Sequence, residues 1–161
     1  MPTEGAESKI GELLNAKQWT LSTAESCTGG GIASRITDVA GASAYFLGAA
    51  VCYANQAKQK VLGVREETLL QYGAVSQQTV EEMALGAADL FATEIAVSIS
   101  GILGPGGGSA EKPVGTTWIC VLAMGQTDSR KFTFYGNRAE NKHAATEAAL
   151  AILLENLERM K

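Results

Sequence analysis

A serine at a glycine-rich turn near the N-terminus carries a hydroxyl that could act as a nucleophile. Ser26 follows Glu25 and precedes a Cys-Thr-Gly-Gly-Gly run, residues 27–31. The preceding residues are predicted as a short strand and the following ones have helical spacing, so the serine lies at a strand-to-helix turn. Backbone N–H groups at the helix start could bind a phosphate or stabilise an oxyanion. The pattern also fits a simpler role, in which Ser26 or Thr28 only caps the helix.

A serine nucleophile needs a base, because its free hydroxyl is almost never ionised near neutral pH. The single histidine, His143, stands in the last predicted helix, in a context typical of a surface residue. Tyr53 and Lys58 offer an alternative, with the tyrosine at a strand end and the lysine about one turn into the next helix. A lysine whose pKa is lowered by burial can serve as a base, and the tyrosine can relay the proton or hold the lysine. Taken alone, the pair also fits a core-edge aromatic and a solvated lysine.

A second glycine-dense segment could form the wall of a ligand site. Residues 101–109 follow a predicted strand that ends at Ser100, and the ends of strands in an open α/β sheet are where ligands bind. Neither glycine-rich segment matches the Gly-x-x-x-x-Gly-Lys-Ser/Thr phosphate loop, which argues against an ATPase. A flexible connection is the alternative interpretation of this loop.

The start of the last predicted helix carries two cations. Arg138 and Lys142 lie one turn apart, at the end where the helix dipole favours negative charge. This placement indicates an anionic ligand such as a phosphate, which a guanidinium can bind in a bidentate manner. A salt bridge to Glu140 or to another acid is the competing explanation.

Length, charge and cysteine content exclude several classes of protein. The 161 residues, 46% of them hydrophobic, suit one domain over residues 1–161 with a sizeable core. The net charge of −4 argues against general nucleic-acid binding, which needs a surplus of cations. Three cysteines without C-x-x-C spacing and one histidine are too few for a zinc site or a disulfide framework. We therefore expect reduced thiols, no metal, and a cytoplasmic protein without a signal peptide or membrane span.

Alternating helices and strands must position these residues. Helices are predicted over residues 4–17, 32–37, 55–62, 65–72, 76–91 and 138–160, and strands over residues 19–24, 43–53, 94–100, 116–124 and 130–135. This alternation predicts an α/β fold, a three-layer α/β/α sandwich with a mixed, mostly parallel sheet.

Three details of these elements are specific enough to check. The apolar strand over 43–53 is predicted to be buried. The last two strands are predicted to form a hairpin through residues 125–128. The apolar face of the last helix is predicted to consist of Ala144, Ala148, Ile152 and Leu153.

These segments, in this order, resemble the C-terminal domain of the CinA family, which includes stand-alone bacterial nicotinamide-nucleotide amidohydrolases. The resemblance extends over nearly the whole chain, and an ordered set of motifs is far more specific than any one of them. The matching segments are residues 23–30 (TAESCTGG), 53–58 (YANQAK), 63–64 (GV), 73–76 (GAVS), 98–101 (SISG), 104–105 (GP), 112–116 (KPVGT) and 136–138 (GNR).

The resemblance implies hydrolysis of the carboxamide of nicotinamide mononucleotide to nicotinate mononucleotide and ammonia, a reaction of pyridine nucleotide salvage. It implies Ser26 as the nucleophile, Lys58 as the base and Tyr53 as their partner, without a metal or organic cofactor. Ser100 would contact the carboxamide, Arg138 would hold the phosphate, and the protein would be a homo-oligomer. The full predicted substrate-binding set is Thr28, Gly29, Gly30, Ser43, Ser100, Gly101, Gly104, Arg138 and Lys142.

Two positions depart from the usual family pattern. Leu103 stands where many relatives have alanine and would narrow the ligand loop, and Lys142 replaces a common arginine and would weaken phosphate binding. Many family domains are also fused to a larger N-terminal domain, and the length of this chain favours the stand-alone form. The alternative function is a catalytically weak or inactive nucleotide-binding or interaction module. Its link to competence or DNA damage rests on the family name only. This alternative stays open because a fold and its pocket can persist after catalytic activity is lost.

Overall fold

A mixed β-sheet forms the middle layer of the protein. Residues 4–160, the part of the chain that the computed structural model describes, contain five strands. They are β1 (Leu21–Glu25), β2 (Phe46–Val51), β3 (Ile95–Gly101), β4 (Thr116–Ala123) and β5 (Gln126–Thr133). Their order is β2-β1-β3-β4-β5, with β2 and β3 parallel to β1, and β4 antiparallel to both β3 and β5. Four of these five described strands point the same way, which confirms the predicted mixed, mostly parallel sheet.

Helices cover both faces of this sheet. They are α1 (Ala6–Lys17), α2 (Gly31–Thr37), α3 (Asn55–Leu62), α4 (Glu66–Tyr72), α5 (Gln77–Phe91) and α6 (Arg138–Arg159), and a 3₁₀ turn covers Ala42–Ala44. One apolar cluster joins α1, α2 and α6 to the sheet, and a second joins α3, α4 and α5 to the opposite face. The three-layer α/β/α architecture is therefore confirmed. One domain over 1–161 stays a prediction, and residues 1–3 and 161 lie outside the described residues.

The central strands divide their side chains between the two clusters. In β3, Ile95 and Val97 pack toward α1 and α6, whereas Ala96 packs toward α5, because successive side chains of a strand point to opposite faces. All five residues of β1 are buried, since β1 lies between two strands and under two helical layers. This strand is thus a fixed support for the residues that follow it.

The strand predicted over 43–53 is shorter and less buried than expected. β2 covers only Phe46–Val51, and its Leu47 and Val51 side chains are 46% and 49% exposed. The prediction of a buried strand is wrong because β2 lies at the edge of the sheet, where β1 is its only neighbour among the described strands. Hydrophobicity alone does not distinguish an edge strand from a central one.

The hairpin between β4 and β5 is tighter than predicted. Its turn consists of Met124 and Gly125, with φ angles of 50° and 79°, so β5 begins at Gln126 rather than at residue 130. Positive φ at both turn residues matches the twist of two paired strands. The polar residues after the turn are typical of a loop in the sequence, but they belong to β5. A strand at the edge of the sheet, as β5 is, can carry polar residues.

The buried face of α6 is displaced by one residue from the predicted face. Ala145 and Ala149 are buried, whereas the predicted Ala144 and Ala148 are only half-buried. The other two predicted positions, in the next turns of the helix, are buried. The small residues around the helix left its orientation undetermined in the sequence.

A glycine in α5 controls how closely α3 approaches. A Cβ atom at Gly86 would overlap the carbonyl oxygen of Leu62 at the end of α3. We expect Gly86→Ala to lower the free energy of unfolding by roughly 1–3 kcal/mol, the usual cost of overpacking. This loss would occur although alanine is the better helix former by about 1 kcal/mol. Urea denaturation measures the change, with Gly106→Ala as the control because no atom lies within 4 Å of its added Cβ. Equal stability of the two variants would contradict this account of the packing.

Candidate active site

Ser26 lies at the carboxyl edge of the sheet, directly after β1. Its backbone N–H donates to the Ile99 carbonyl at 3.1 Å, which extends the β1–β3 pairing by one residue. Gly29 and Gly30 then take positive φ angles of 61° and 102°, and the chain turns into α2. Because β2 and β3 lie on opposite sides of β1, this edge is the switch point where open α/β sheets bind ligands.

Lys58 reaches the serine hydroxyl from α3. Its Nζ atom lies 3.1 Å from Ser26 Oγ and 3.0 Å from the backbone carbonyl oxygen of Tyr53. The side chain is buried, so the alternative of a solvated lysine is wrong. Burial lowers the pKa of the Lys58 amine, because desolvation penalises the ammonium form. No ion pair within residues 4–160 involves Lys58. An amine of this kind can accept a proton from the hydroxyl.

Tyr53 meets the serine and the lysine through its backbone rather than through its ring. Its carbonyl oxygen accepts a hydrogen bond from Lys58 Nζ and lies 3.5 Å from Ser26 Oγ. The side chain is 63% exposed, so it is not a core-edge aromatic, and its hydroxyl accepts a hydrogen bond from Arg138 Nη2 at 3.1 Å. The three predicted catalytic residues are thus brought together, with the tyrosine hydroxyl directed to a different partner than expected.

Arg138 ties two segments to the start of α6. Its Nη1 atom donates to the Gly104 carbonyl at 2.7 Å, and Nη2 donates to the Tyr53 hydroxyl. The competing salt bridge to Glu140 is not formed, because that carboxylate accepts from the backbone N–H of Asn137 in a capping box. Arg138 has no carboxylate partner within the described part of the chain. Its remaining N–H groups are therefore available to an anion.

Asn141 is a residue of the site that the sequence analysis missed. Its buried side-chain amide donates to the Leu103 carbonyl at 3.0 Å, and its Oδ1 atom accepts from the Gly136 N–H at 2.8 Å. These two bonds hold the glycine-dense loop against the start of α6. The signal that could have found it is an asparagine on the apolar face of a helix, where a buried amide needs partners.

A cavity of about 230 Å³ lies between these elements. Cys27, Tyr53 and Arg138 line it together with loop residues 101–104, 106 and 107. Leu103 is buried, so it packs in the core as well as lining the cavity. Burial raises the pKa of the Cys27 thiol to about 12, which keeps this thiol in its protonated form.

Of the two roles that the sequence leaves open for the start of α2, anion binding by its first N–H groups is not available. The N–H groups of Ile32 and Ala33 both donate to the Glu25 carboxylate at 2.9 Å, and Thr28 donates its hydroxyl to the same carboxylate at 2.6 Å. The helix donors are therefore occupied within the protein. Instead, the N–H groups of Cys27 and Thr28 have no acceptor among residues 4–160.

The remaining predicted site residues are divided between two ends of the sheet. Ser100 is buried near the end of β3, beside Gly101 and directly after Ile99, which pairs with Glu25 of β1. A Cβ atom on Gly29 would lie 3.6 Å from Lys142 Nζ, so this lysine borders the Ser26 turn. Ser43, in contrast, lies exposed in the 3₁₀ turn before β2, near the amino ends of the parallel strands and therefore opposite to the carboxyl ends where Ser26 lies. The prediction that Ser43 contacts the ligand is wrong for the site within this chain, because β2 separates it from those carboxyl ends.

Within residues 4–160, no three histidine, cysteine, aspartate or glutamate side chains are close enough together to hold a metal ion. None of the helices in that range combines the length and the apolar character needed to cross a membrane. His143 lies exposed on α6.

The fold and the site define a three-layer α/β domain with a buried serine–lysine pair at the switch point of its sheet. The sequence matches the CinA C-terminal domain over residues 3–157, and the chain belongs to this family. The predicted resemblance is confirmed.

Curated relatives and solved structures agree with this assignment. The chain is 51% identical over 146 residues to nicotinamide-nucleotide amidohydrolase PncC of Escherichia coli, a match that covers 90% of this chain and 88% of that protein. It is 48% identical over 155 residues to a CinA-like protein of Chloroherpeton thalassium, covering 94% of this chain but spanning only 37% of that relative. A CinA superfamily structure from Klebsiella pneumoniae has a TM-score of 0.92 at 36% identity and 96% coverage of both chains. A competence/damage-inducible protein from Agrobacterium tumefaciens has a TM-score of 0.86 at 40% identity, covering 96% of this chain and 97% of its own.

Replacement of the buried lysine should change how stability depends on pH. Burial lowers the folded-state pKa of Lys58 below the ordinary value of 10.5. Between these two pKa values the unfolded chain binds more protons, so the stability of the wild type rises with pH in that window. Lys58→Met should lose this rise and should be more stable near neutral pH, because no buried ammonium remains.

Denaturant unfolding at a series of pH values measures this difference. Lys60→Met is the matched control, since Lys60 lies exposed on the same helix and should keep the wild-type dependence. A Lys58→Met variant that follows the wild type at every pH would show that the buried amine keeps its ordinary pKa.

Proposed function

We propose that the protein hydrolyses the carboxamide of nicotinamide mononucleotide to nicotinate mononucleotide and ammonia through a serine acyl-enzyme. The observation that carries the proposal is the 3.1 Å contact between the buried amine of Lys58 and Ser26 Oγ beside the cavity. The 51% identity to a protein named nicotinamide-nucleotide amidohydrolase supports the choice of substrate.

In the acylation step, neutral Lys58 takes the Ser26 proton while Oγ attacks the carboxamide carbon. The tetrahedral oxyanion would accept hydrogen bonds from the N–H groups of Cys27 and Thr28, which have no other acceptor among residues 4–160. The lysine ammonium then gives its proton to the leaving nitrogen, the C–N bond breaks and ammonia departs. The Tyr53 carbonyl holds Lys58 Nζ in place during this exchange.

In the deacylation step, the same amine activates a water molecule that attacks the acyl-serine ester. The proton taken from water returns to Ser26 Oγ as the ester bond breaks, and nicotinate mononucleotide is released. Each step uses the lysine alternately as base and acid. The first proton transfer requires the neutral amine, and the lowered pKa of Lys58 favours this form.

The size and charge of the site favour a nucleotide whose ring is enclosed and whose phosphate is not. The cavity of about 230 Å³ is smaller than the roughly 300–1,000 Å³ pockets that enclose drug-sized ligands. It would hold the pyridine carboxamide and leave the ribose phosphate at its rim. Arg138 and Lys142 would bind the phosphate there, since both cations border the Ser26 turn or the cavity. Pyridine nucleotide salvage, a cytoplasmic location and a homo-oligomeric state remain predictions.

Ammonia release from nicotinamide mononucleotide tests the serine–lysine mechanism. Ser26→Ala should lower kcat by roughly 10⁴-fold or more because it removes the nucleophile. Lys58→Met should lower kcat by about 10²–10⁴-fold because it removes the general base. The wild-type rate should rise with pH, with a midpoint below the ordinary lysine pKa.

Lys60→Met serves as the control and should retain the wild-type rate, since this lysine is exposed outside the site. Equal rates for wild type and Ser26→Ala would remove the acyl-enzyme. Tight binding of the mononucleotide without turnover would favour the alternative, a binding module.

The predicted role of Arg138 can be separated from its contact with Tyr53. Arg138→Ala should raise KM for nicotinamide mononucleotide by roughly 10- to 100-fold, the usual worth of charge-assisted hydrogen bonds, and should affect nicotinamide riboside much less. Tyr53→Phe removes only the hydroxyl that Arg138 contacts and leaves the carbonyl on Lys58. It should therefore change kcat far less than Ser26→Ala does. If Arg138→Ala raises KM for both substrates by the same factor, the arginine does not bind the phosphate.

A further inference from the structure

Glu25 is a buried acid that the proposed reaction does not use. Its side chain is fully buried, and its carboxylate forms no ion pair within residues 4–160. A buried carboxylate is costly unless hydrogen-bond donors surround it. Because Glu25 directly precedes Ser26, the groups that satisfy its carboxylate lie close to the proposed nucleophile.

The donors that satisfy Glu25 all belong to the strand before the serine or to the turn and helix after it. Oε1 accepts from the Thr28 hydroxyl at 2.6 Å and from the Ile32 N–H at 2.9 Å. Oε2 accepts from the Ala33 N–H at 2.9 Å and, at 3.3 Å, from the Thr23 hydroxyl. The carboxylate therefore joins the end of β1 to the first turn of α2 across the segment that carries the serine.

The backbone of Glu25 fixes a second part of the site. Its carbonyl oxygen accepts from the Cys52 N–H at 2.8 Å, and the next residue, Tyr53, provides the carbonyl that holds Lys58. Glu25 is thus linked both to the turn that carries Ser26 and to the segment that holds Lys58. A shift of the turn of about 1 Å would separate Ser26 Oγ from Lys58 Nζ beyond hydrogen-bond distance.

We propose that Glu25 is a positioning residue for the nucleophile. Its carboxylate holds the turn over residues 26–30 so that Ser26 Oγ stays against Lys58 and Cys27 stays at the wall of the cavity. By occupying the donors of α2, it also directs anion binding away from that helix. The proposal rests on the proposed function insofar as Ser26 is the nucleophile.

Labelling of Ser26 by a fluorophosphonate tests the proposal without a pyridine nucleotide. The Oγ–P bond forms as the P–F bond breaks, fluoride leaves, and the hydroxyl proton goes to Lys58. The labelling rate is measured on the full chain by intact mass from about pH 6 to about pH 10, which spans the range where a perturbed lysine titrates. The Ser26→Ala variant should not be labelled.

Glu25→Gln should lower the maximal labelling rate by roughly 10- to 100-fold, because its amide N–H₂ would face the Ala33 N–H and release the turn. The midpoint of the pH profile should stay at the wild-type value, because Lys58 is unchanged. Thr28→Val should cause a smaller fall, and Thr28→Ser should restore the rate by keeping the hydroxyl. If Glu25→Gln fails to fold, the comparison of these two threonine variants decides the question.

Thr68→Val is the matched control. It removes a buried threonine hydroxyl that donates to a carboxylate, Glu82, at the same 2.6 Å distance but away from the site. It should lose stability as Thr28→Val does while keeping the wild-type labelling rate below the unfolding temperature. Wild-type rates in folded Glu25→Gln and Thr28→Val, or an equal fall in Thr68→Val, would overturn the positioning role. A wild type that the probe does not label at Ser26 would instead overturn the nucleophile, and with it the proposed function.

Discussion

Lys58 lies out of water in the first turns of a short helix, and the cost of keeping its amine there shapes the surrounding architecture. No carboxylate of the described chain neutralises it; a serine hydroxyl and a backbone carbonyl are its two hydrogen-bond partners in the site. Such an environment favours the uncharged amine, which is the form that can take a proton. The arrangement persists because α3 is held tightly on α5, where Gly86 allows the two helices to approach.

The topology of the sheet explains why distant segments meet at this amine. β1, β2 and β3 are parallel neighbours, so their carboxyl ends share one edge, and each end supplies a part of the site. Ser26 follows β1, Tyr53 follows β2, and Ser100 and Gly101 close β3. The start of α6 then covers this edge, where Asn141 and Arg138 bind the glycine-dense loop through its carbonyl groups.

Glu25 and Arg138, two of the charged residues near the serine–lysine pair, are satisfied in opposite ways. Glu25 is enclosed by hydroxyl and N–H donors and has no capacity for a ligand. Arg138 donates one hydrogen bond to a carbonyl oxygen and one to a phenol oxygen, and its remaining donors border the cavity. The acid therefore belongs to the support of the turn, whereas the arginine is available to an anion. Of these two charged groups, one therefore stabilises the protein chain and the other can bind a ligand.

Much of this protein follows from local patterns, because glycine turns, helix periodicity and strand length are properties of neighbouring residues. The alternation of elements, the three-layer fold and the convergence of Ser26 and Lys58 were predictable from the sequence and its motifs. The edge position of β2, the face of α6 and the distance of Ser43 from the site were not, since each depends on which elements become neighbours. The same holds for the Tyr53 hydroxyl, the buried Asn141 and the partners of Glu25. Only the tertiary structure decides whether a polar side chain is buried and which atoms satisfy it, because its partners come from distant parts of the chain.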